Sequence, residues 1–303
     1  MPEYLVTGSS GFIGSHLCRF LVGKGHLVTK TDISGDPDYL FDLRQADWEE
    51  INLSKFDGVI HLGAKISVPE SITNPEEYSE VNVDATRRLF QACSDAGVPK
   101  VIFASSAAVY GSSNNDLMRV SDPTSPNSPY AENKKIGEDL ALEFSSESSR
   151  FMCLRFFNVY GFGQSHANAY ASVIPIFISL ISRGSAVTIY GDGSQTRDFI
   201  HVNDICRTVN SALLSDIPSY SVYNLGTGLG TSISELASIL GRILSKFGIQ
   251  GKEPIFAPQR DGDIPFSIAD LSGLESLIDI SSFITLEEGL MGLVKRTLDE
   301  SNA

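Results

Sequence analysis

Two side chains suited to proton transfer stand close together near the middle of the chain. Tyr130 and Lys134 lie four residues apart in the segment PYAENK, and on a helix this spacing places the phenol and the ammonium on one face. A free tyrosine has a pKa near 10, so action as a base near neutrality requires lowering it by about three units, roughly 4 kcal/mol. A neighbouring ammonium favours the phenolate. The spacing therefore predicts a tyrosine base assisted by a lysine.

Two hydroxyls precede this pair at the end of an apolar run. The predicted strand Lys100–Ala104 leads into SSAAVYG, which contains Ser105 and Ser106. Open α/β sheets bind ligands at the carboxyl ends of their strands, so we expect these serines to lie at such an edge. Tyr-x-x-x-Lys by itself is common on helix surfaces as a solvated pair, and only its combination with the serines favours a catalytic reading.

A glycine-rich turn follows the first predicted strand, Tyr4–Thr7. The segment GSSGFIGSH spaces its glycines as G-x-x-G-x-x-G and opens an apolar helix from Phe12 to Leu21. Glycine lets the backbone turn tightly and approach a pyrophosphate, whose charge is favoured at a helix N-terminus. The pattern predicts a dinucleotide site.

An acidic residue ends the second predicted strand, His26–Thr31. Asp32 lies 18 residues past Gly14, where a carboxylate accepts hydrogen bonds from the adenosine ribose. Because a carboxylate also repels a 2′-phosphate, the sequence favours NAD over NADP. Asp42, followed by Leu43, is a candidate acceptor for the adenine amino group, with a solvated loop acid as the alternative.

Short apolar runs alternate with helix-length segments, as in a parallel sheet with crossover helices. We therefore predict an α/β fold: a Rossmann-type doubly wound parallel sheet with a smaller C-terminal substrate-binding domain. The predicted division is 1–165 for NAD binding and 166–303 mainly for the substrate, with some later elements returning to the large sheet. Further predicted strands are Gly58–Leu62 and Phe151–Phe156. The predicted helices are Asn74–Ala96, Tyr130–Ser146, Ala169–Arg183, Asn203–Leu214, Ser232–Phe247 and Leu286–Leu298.

Composition narrows the class of protein. The 303 residues carry 23 Lys+Arg against 37 Asp+Glu, a formal charge of −14. Surfaces that bind nucleic acid or anionic membranes need positive charge, so neither partner is expected. The absence of a basic leader, of a long apolar span and of paired cysteines predicts a cytoplasmic protein. The histidines are unclustered, and no metal site is predicted.

Taken together, the motifs resemble the extended short-chain dehydrogenase/reductase family, and within it the nucleotide-sugar 4-epimerases acting on UDP-glucose or UDP-N-acetylglucosamine. The resemblance covers nearly the whole chain. The matching motifs, in order, are GSSGFIG, HLGA, SSAAVYG, PYAENK, LRFFNVYG, GDGSQTRDFIHVND, YNLGTG and RDGD.

The resemblance implies a role for each matching residue. Tyr130 becomes the catalytic base, Lys134 the residue that holds the nicotinamide ribose, and Ser106 the group that hydrogen-bonds the reacting sugar hydroxyl. The implied NAD contacts are Gly8, Gly11, Phe12, Ile13, Gly14, Asp32, Asp42, Leu43, Leu62, Ala64, Tyr130 and Lys134. The implied substrate contacts are Ser67, Ser106, Tyr130, Asn158, Arg197, Arg260 and Ser267. His61 and His201 are expected to be structural.

The implied reaction depends on what the Ser106 segment lacks. Related dehydratases resemble this chain but usually carry Asp or Glu there, because elimination of water needs an acid and a base. Here the segment reads Ser106-Ala107-Ala108-Val109. The resemblance thus favours an epimerase, in which Tyr130 takes the proton of the 4-hydroxyl while hydride passes to NAD⁺. The 4-keto sugar then rotates in the site and is reduced on its opposite face.

The resemblance also suggests which sugars are accepted. In the 4-epimerases a position seven residues after the RDGD-type arginine gates substrate size, and counting from Arg260 gives Ser267. A small residue there implies that UDP-GlcNAc and UDP-GalNAc are accepted besides UDP-Glc and UDP-Gal. The alternative is a loop serine without contact.

Three other functions stay open at this point. Two belong to the same family, a UDP-uronate 4-epimerase and a 4-keto-sugar reductase, and the third is a non-catalytic nucleotide-binding protein. The resemblance further implies a homodimer formed through the helices predicted at Asn74–Ala96 and Tyr130–Ser146.

Overall fold

The computed structural model describes residues 1–112, 116–164, 172–259 and 264–301. Its strands are β1 (Glu3–Thr7), β2 (Leu27–Asp32), β3 (Tyr39–Leu40), β4 (Gly58–His61), β5 (Lys100–Ser106), β6 (Arg150–Phe156), β7 (Asn158–Tyr160), β8 (Thr188–Tyr190), β9 (Thr196–His201), β10 (Tyr220–Leu225), β11 (Gly230–Ser232), β12 (Ile255–Ala257) and β13 (Phe266–Ser267). Its α-helices are α1 (Phe12–Gly23), α2 (Trp48–Ile51), α3 (Val68–Thr73), α4 (Pro75–Ser79), α5 (Ala85–Asp95), α6 (Pro129–Phe144), α7 (Val173–Ser182), α8 (Val202–Leu214), α9 (Ile233–Ser245) and α10 (Leu286–Ser301).

Within these residues, seven parallel strands form the main sheet in the order β10-β6-β5-β4-β1-β2-β3. The order runs outward from β1 in both directions, as in a doubly wound sheet. The carboxyl ends of all seven strands meet at one edge, which is where a ligand cleft is expected. The predicted Rossmann-type α/β class is confirmed.

Successive residues of β1 explain why the sheet is covered on both faces. Tyr4 and Val6 pack with α1 and α8 on one side, whereas Leu5 packs with α5 and α6 on the other. Strands buried on both faces read as continuous apolar runs, which is the pattern of the predicted strands. Helix α8, from the second half of the chain, thus covers the main sheet.

The remaining elements build a second layer around the C-terminal half. Strands β11, β9 and β13 form a small sheet that β7 also joins, and β12 pairs with β8. Helices α7, α9 and α10 enclose a separate apolar cluster beside it. Strand β10, however, returns to the edge of the main sheet. The predicted boundary between 165 and 166 falls at residues outside the described ranges, and the two-domain division stays a prediction.

Local signals account for the ends of the site helix. The Ser128 hydroxyl caps α6 by accepting from the Ala131 N–H at 3.2 Å, and Pro129 occupies its first turn. Both features favour a helix start at this point, so Tyr130 lies in the first turn. The helix predicted over Asn74–Ala96 is instead α4 and α5 joined by a π-helical turn, Glu80–Asp84.

No helix in the described part of the chain combines the length and apolar character needed to cross a membrane.

Candidate active site

A cleft of about 1720 Å³ opens at the carboxyl edge of the main sheet. Its floor is the glycine turn between β1 and α1, where Gly8 has a φ of +68°. A Cβ on Gly14 would lie 2.0 Å from the Gly8 carbonyl oxygen, and one on Gly8 would lie 2.7 Å from the Gly63 nitrogen. Only glycine fits at both positions, so the backbone stays open to a phosphate at the α1 N-terminus.

The adenosine end of the cleft carries the two predicted acids. The Asp32 carboxylate lies at the end of β2 and accepts from the backbone N–H of Ser10 at 2.8 Å and of Ser34 at 3.1 Å. These bonds orient it toward the cleft, where its oxygens retain capacity for ribose hydroxyls. The donor set fits the dinucleotide that the sequence predicts.

Asp42 also lines the cleft, but its carboxylate already binds a neighbouring arginine. The Arg44 guanidinium contacts it at 2.7 Å and also reaches Glu80 at 3.1 Å. Its hydrogen bond from the Arg44 side chain is the largest cause that lowers the pKa of Asp42. Arg44 lines the cleft and was missed from sequence, because only folding brings Glu80 against it. The adenine contact of Asp42 stays a prediction.

The three predicted catalytic side chains converge in the same cleft. Ser106 ends β5 and its hydroxyl accepts from the Ala108 N–H at 3.2 Å. Tyr130 lies in the first turn of α6, and Lys134 lies one turn further along. Burial raises the pKa of Tyr130, and a hydrogen bond with Ser106 lowers it in part. The phenol is therefore protonated near neutrality and next to a hydroxyl that orients it.

Lys134 lies on the same helix near the Tyr130 ring, as the spacing predicts, and its ammonium is also bound to the backbone. Its Nζ donates to the Ala104 carbonyl oxygen at 2.8 Å and stands 6.0 Å from the Tyr130 ring centroid. Burial lowers the pKa of Lys134 to about 8. Burial is the largest cause that shifts the pKa of Tyr130, and the expectation that Lys134 lowers this pKa stays a prediction.

A buried ion pair supports the Ser106 strand from behind. Arg155 contacts Glu138 through two hydrogen bonds of 2.8 and 2.7 Å, and both side chains are at most 5% exposed. The Ser105 hydroxyl donates to the same Glu138 carboxylate at 2.6 Å. The Ser105 hydroxyl is thereby bound to the buried ion pair and holds the end of β5.

The predicted substrate contacts are placed unequally. Ser67, Asn158 and Arg197 line the cleft together with the catalytic group. Ser267 lies on β13 beside Arg197, is 4% exposed, and is not among the described residues that line the cleft. Its gating role stays a prediction without a contact. Arg260 lies outside the described residues.

Of the other predicted cofactor contacts, Phe12, Ile13, Leu43, Leu62 and Ala64 also line the cleft. The two histidines expected to be structural have partners that suit that role. His61 contacts the hydroxyls of Thr7 and Thr86 at 2.7 and 2.9 Å, and burial lowers its pKa to about 3. His201 caps α8. Among the residues that the structure describes, no cluster of side chains suits a metal ion.

One charged cluster in the cleft was not predicted. Lys65 follows β4, and its ammonium contacts Glu70 at 3.1 Å and Glu77 at 2.6 Å. All three residues line the cleft. The motif HLGA ends one residue before Lys65, and this proximity was the only signal in the sequence that pointed to Lys65. The two acids come from α3 and α4, and their approach depends on tertiary packing.

The doubly wound sheet, the glycine turn and the Ser106–Tyr130–Lys134 group define a short-chain dehydrogenase/reductase. The family model described as "NAD dependent epimerase/dehydratase family" matches residues 4–226. The chain belongs to the NAD-dependent epimerase/dehydratase family.

Several relatives share nearly the full length. A UDP-glucose 4-epimerase of Halalkalibacterium halodurans is 32% identical, with 90% of this chain and 89% of the relative covered. A solved UDP-N-acetylglucosamine 4-epimerase from Methanobrevibacter ruminantium M1, in complex with UDP-N-acetylmuramic acid, is 36% identical with a TM-score of 0.89, covering 99% of this chain and 100% of that one. MoeE5 in complex with UDP-glucuronic acid and NAD is 34% identical with a TM-score of 0.86, covering 98% and 99%.

These comparisons bear on the sequence predictions. The resemblance to nucleotide-sugar 4-epimerases and the prediction of an NAD-dependent enzyme of that group are confirmed, and so is NAD as the cofactor. The relatives act on or bind neutral, acetamido and acidic sugars, so they do not select one substrate.

Proposed function

We propose that this enzyme interconverts the 4-epimers of a UDP-hexose through a 4-keto intermediate, and that it accepts UDP-GlcNAc and UDP-GalNAc as well as UDP-Glc and UDP-Gal. One observation carries the proposal: Ser106 and Tyr130 meet in the cleft, and the segment that follows Ser106, Ala107-Ala108-Val109, lacks the carboxylate that the resemblance associates with dehydratases. The site has groups for oxidation and reduction at one carbon, but this segment offers none for loss of water.

Each residue then has a defined task. Bound NAD supplies the acceptor and donor of hydride, with its pyrophosphate at the glycine turn and its ribose at Asp32. Ser106 holds the sugar 4-hydroxyl, and the Tyr130 phenol exchanges a proton with that oxygen. Because burial raises the pKa of Tyr130, the base form requires positive charge from the bound cofactor as well as from Lys134.

Binding of the UDP diphosphate needs positively charged side chains, of which this acidic chain has few. Arg197 lines the cleft and donates to the carbonyl oxygens of Thr196 and Ile264, which fix the position of its guanidinium. Guanidinium groups bind phosphate in a bidentate manner. Together with Asn158, Arg197 is our candidate for holding the UDP diphosphate. A homodimer and a cytoplasmic location stay predictions from the sequence.

The test is to mix the purified protein with UDP-GlcNAc, without added cofactor, and to follow the anomeric protons by NMR. We expect the galacto epimer to appear, since NAD is regenerated in every turnover. Tyr130→Phe should lower the rate by about 100-fold to 10,000-fold. Tyr39→Phe, outside this cleft, is the matched control.

The possible results separate the candidates. Conversion of UDP-glucose alone would refute the acetamido part of the proposal. Turnover only with stoichiometric added NADH would indicate a 4-keto-sugar reductase, and conversion of a UDP-uronate alone would indicate a uronate epimerase. Unchanged turnover in Tyr130→Phe would refute the assigned base.

A further inference from the structure

The Lys65–Glu70–Glu77 cluster places net negative charge in the substrate cleft. One ammonium faces two carboxylates, so the three side chains together carry a charge of −1. The bond to Lys65 is the largest cause that lowers the pKa of Glu70, which keeps that carboxylate ionised at neutral pH. The two acids have side chains that are 41% and 43% exposed, and their charge therefore acts into the open cleft.

The two acids of the cluster lie on α3 and α4, and both helices pack against α6, which carries Tyr130. The Lys65 ammonium stands 5.3 Å from the centre of the Tyr78 ring, and the Tyr78 hydroxyl donates to Glu70 at 3.2 Å. Tyr78 in turn accepts from the backbone N–H of Ser67 at 3.0 Å. Tyr78 is also close enough to Tyr130 to contribute to the raised pKa of that phenol, after burial. The acids are thus linked by direct contacts to the surroundings of the proton-transfer group.

The other described cations of the cleft are held elsewhere. Lys134 donates to the Ala104 carbonyl, Arg197 donates to two backbone carbonyls, and Arg44 lies between Asp42 and Glu80 at the adenosine end. Lys134 is 5% exposed, so among the described lining cations near α6 the exposed one is Lys65, and Lys65 is already bound by two acids.

We propose that Glu70 and Glu77 make this site select against sugars that carry a carboxylate in place of the 6-hydroxymethyl group. Carbon 6 is two bonds from the carbon on which Tyr130 acts, so a uronate would bring its charge into the region of the cluster. The charges of that cluster sum to −1, and unfavourable Coulomb interaction with them weakens binding. The inference rests on the proposed 4-epimerase function and names the sugar class that its site admits.

The experiment compares UDP-glucose with UDP-glucuronate in the full-length enzyme. We expect wild-type kcat/KM to favour UDP-glucose. Glu77→Gln and Glu70→Gln should each shift the ratio toward UDP-glucuronate by about fivefold, the effect of one half-exposed charge at close range. Glu76→Gln is the matched control, because it removes the same charge from the same helix at an exposed position outside the cleft lining. It should change the ratio by less than about twofold.

Three further readouts make the test decisive. Raising the ionic strength should reduce the discrimination in the wild type, because screening weakens a Coulomb effect. An unchanged ratio in both glutamine variants, or weaker discrimination against UDP-glucuronate in Lys65→Met, would overturn the inference while leaving the 4-epimerase intact. The ratio of the two binding constants, measured by calorimetry, tests the charge argument separately from turnover. Failure of the proposed function itself would appear as absent conversion of every neutral sugar.

Discussion

Replacing Lys134 with Met should make the enzyme more stable and inactive. The Lys134 ammonium is 5% exposed, and burial lowers its pKa from 10.5 to about 8. That difference in pKa corresponds to a loss of about 3 kcal/mol in the free energy of unfolding at pH 7, because the charge is buried in the folded protein. Loss of the 2.8 Å hydrogen bond to the Ala104 carbonyl offsets about 1 kcal/mol of this gain in stability. The net gain is about 2 kcal/mol, a rise in Tm of roughly 4–8 °C.

The assay is thermal unfolding followed by circular dichroism, on protein freed of bound nucleotide. Lys135→Met, one residue further on and paired with Asp139 at the helix surface, is the control and should change stability by less than about 0.5 kcal/mol. Activity is followed by the NMR assay, in which Lys134→Met should lose turnover.

The pH dependence provides an independent check. Because the pKa of Lys134 in the folded protein lies below that of the unfolded chain, the unfolded chain binds more protons between about pH 8 and 10.5. The stability of the wild type should rise across this window relative to Lys134→Met. The advantage of the variant should thus be full below pH 8 and shrink toward pH 10.5. A variant that is less stable than wild type at pH 7, or an advantage independent of pH, would refute the reasoning.

Two further substitutions test the support of the site. Glu138→Ala should lower the free energy of urea unfolding by about 3–5 kcal/mol, because Arg155 would keep an unpaired buried charge. The control Glu143→Ala, on the exposed face of the same helix, should lower it by less than about 1 kcal/mol. Equal losses in the two variants would contradict the burial argument. Gly14→Ala should abolish retention of NAD during purification, because its Cβ would lie 2.0 Å from the Gly8 carbonyl, and an ultraviolet spectrum that still shows bound nucleotide would count against the glycine cradle.

Much of the fold was readable from short-range patterns. The apolar runs and the caps of α6 are local signals, and the helices predicted over Tyr130–Ser146, Asn203–Leu214 and Ser232–Phe247 differ from α6, α8 and α9 by a few residues at most. Strand β3 and strands β7 to β13 were not predicted. Six of these eight strands have only two or three residues, too few to show a period, and their pairing with distant partners is what stabilises them.

The catalytic group was predictable for a different reason. Ser106 and the glycine turn lie at the carboxyl ends of β5 and β1, and Tyr130 lies in the first turn of the helix that connects β5 with β6. The carboxyl ends of parallel strands meet at one edge of the sheet. The motif order was therefore enough to place them together. The position of the Lys134 ammonium was not predictable, because a buried backbone carbonyl 30 residues away in sequence competes for it.

The sequence by itself determined the class of fold, the nucleotide turn and the serine–tyrosine–lysine group, since each depends on spacing within one element or on the order of elements. Tertiary structure alone decided the partners of charges that come from separate elements. It placed Arg44 between Asp42 and Glu80, Lys65 between two glutamates, and Ser267 beside Arg197 outside the cleft lining. The physical reason is that an ion pair depends on distances of a few ångströms between distant segments, and those distances follow from how the layers pack.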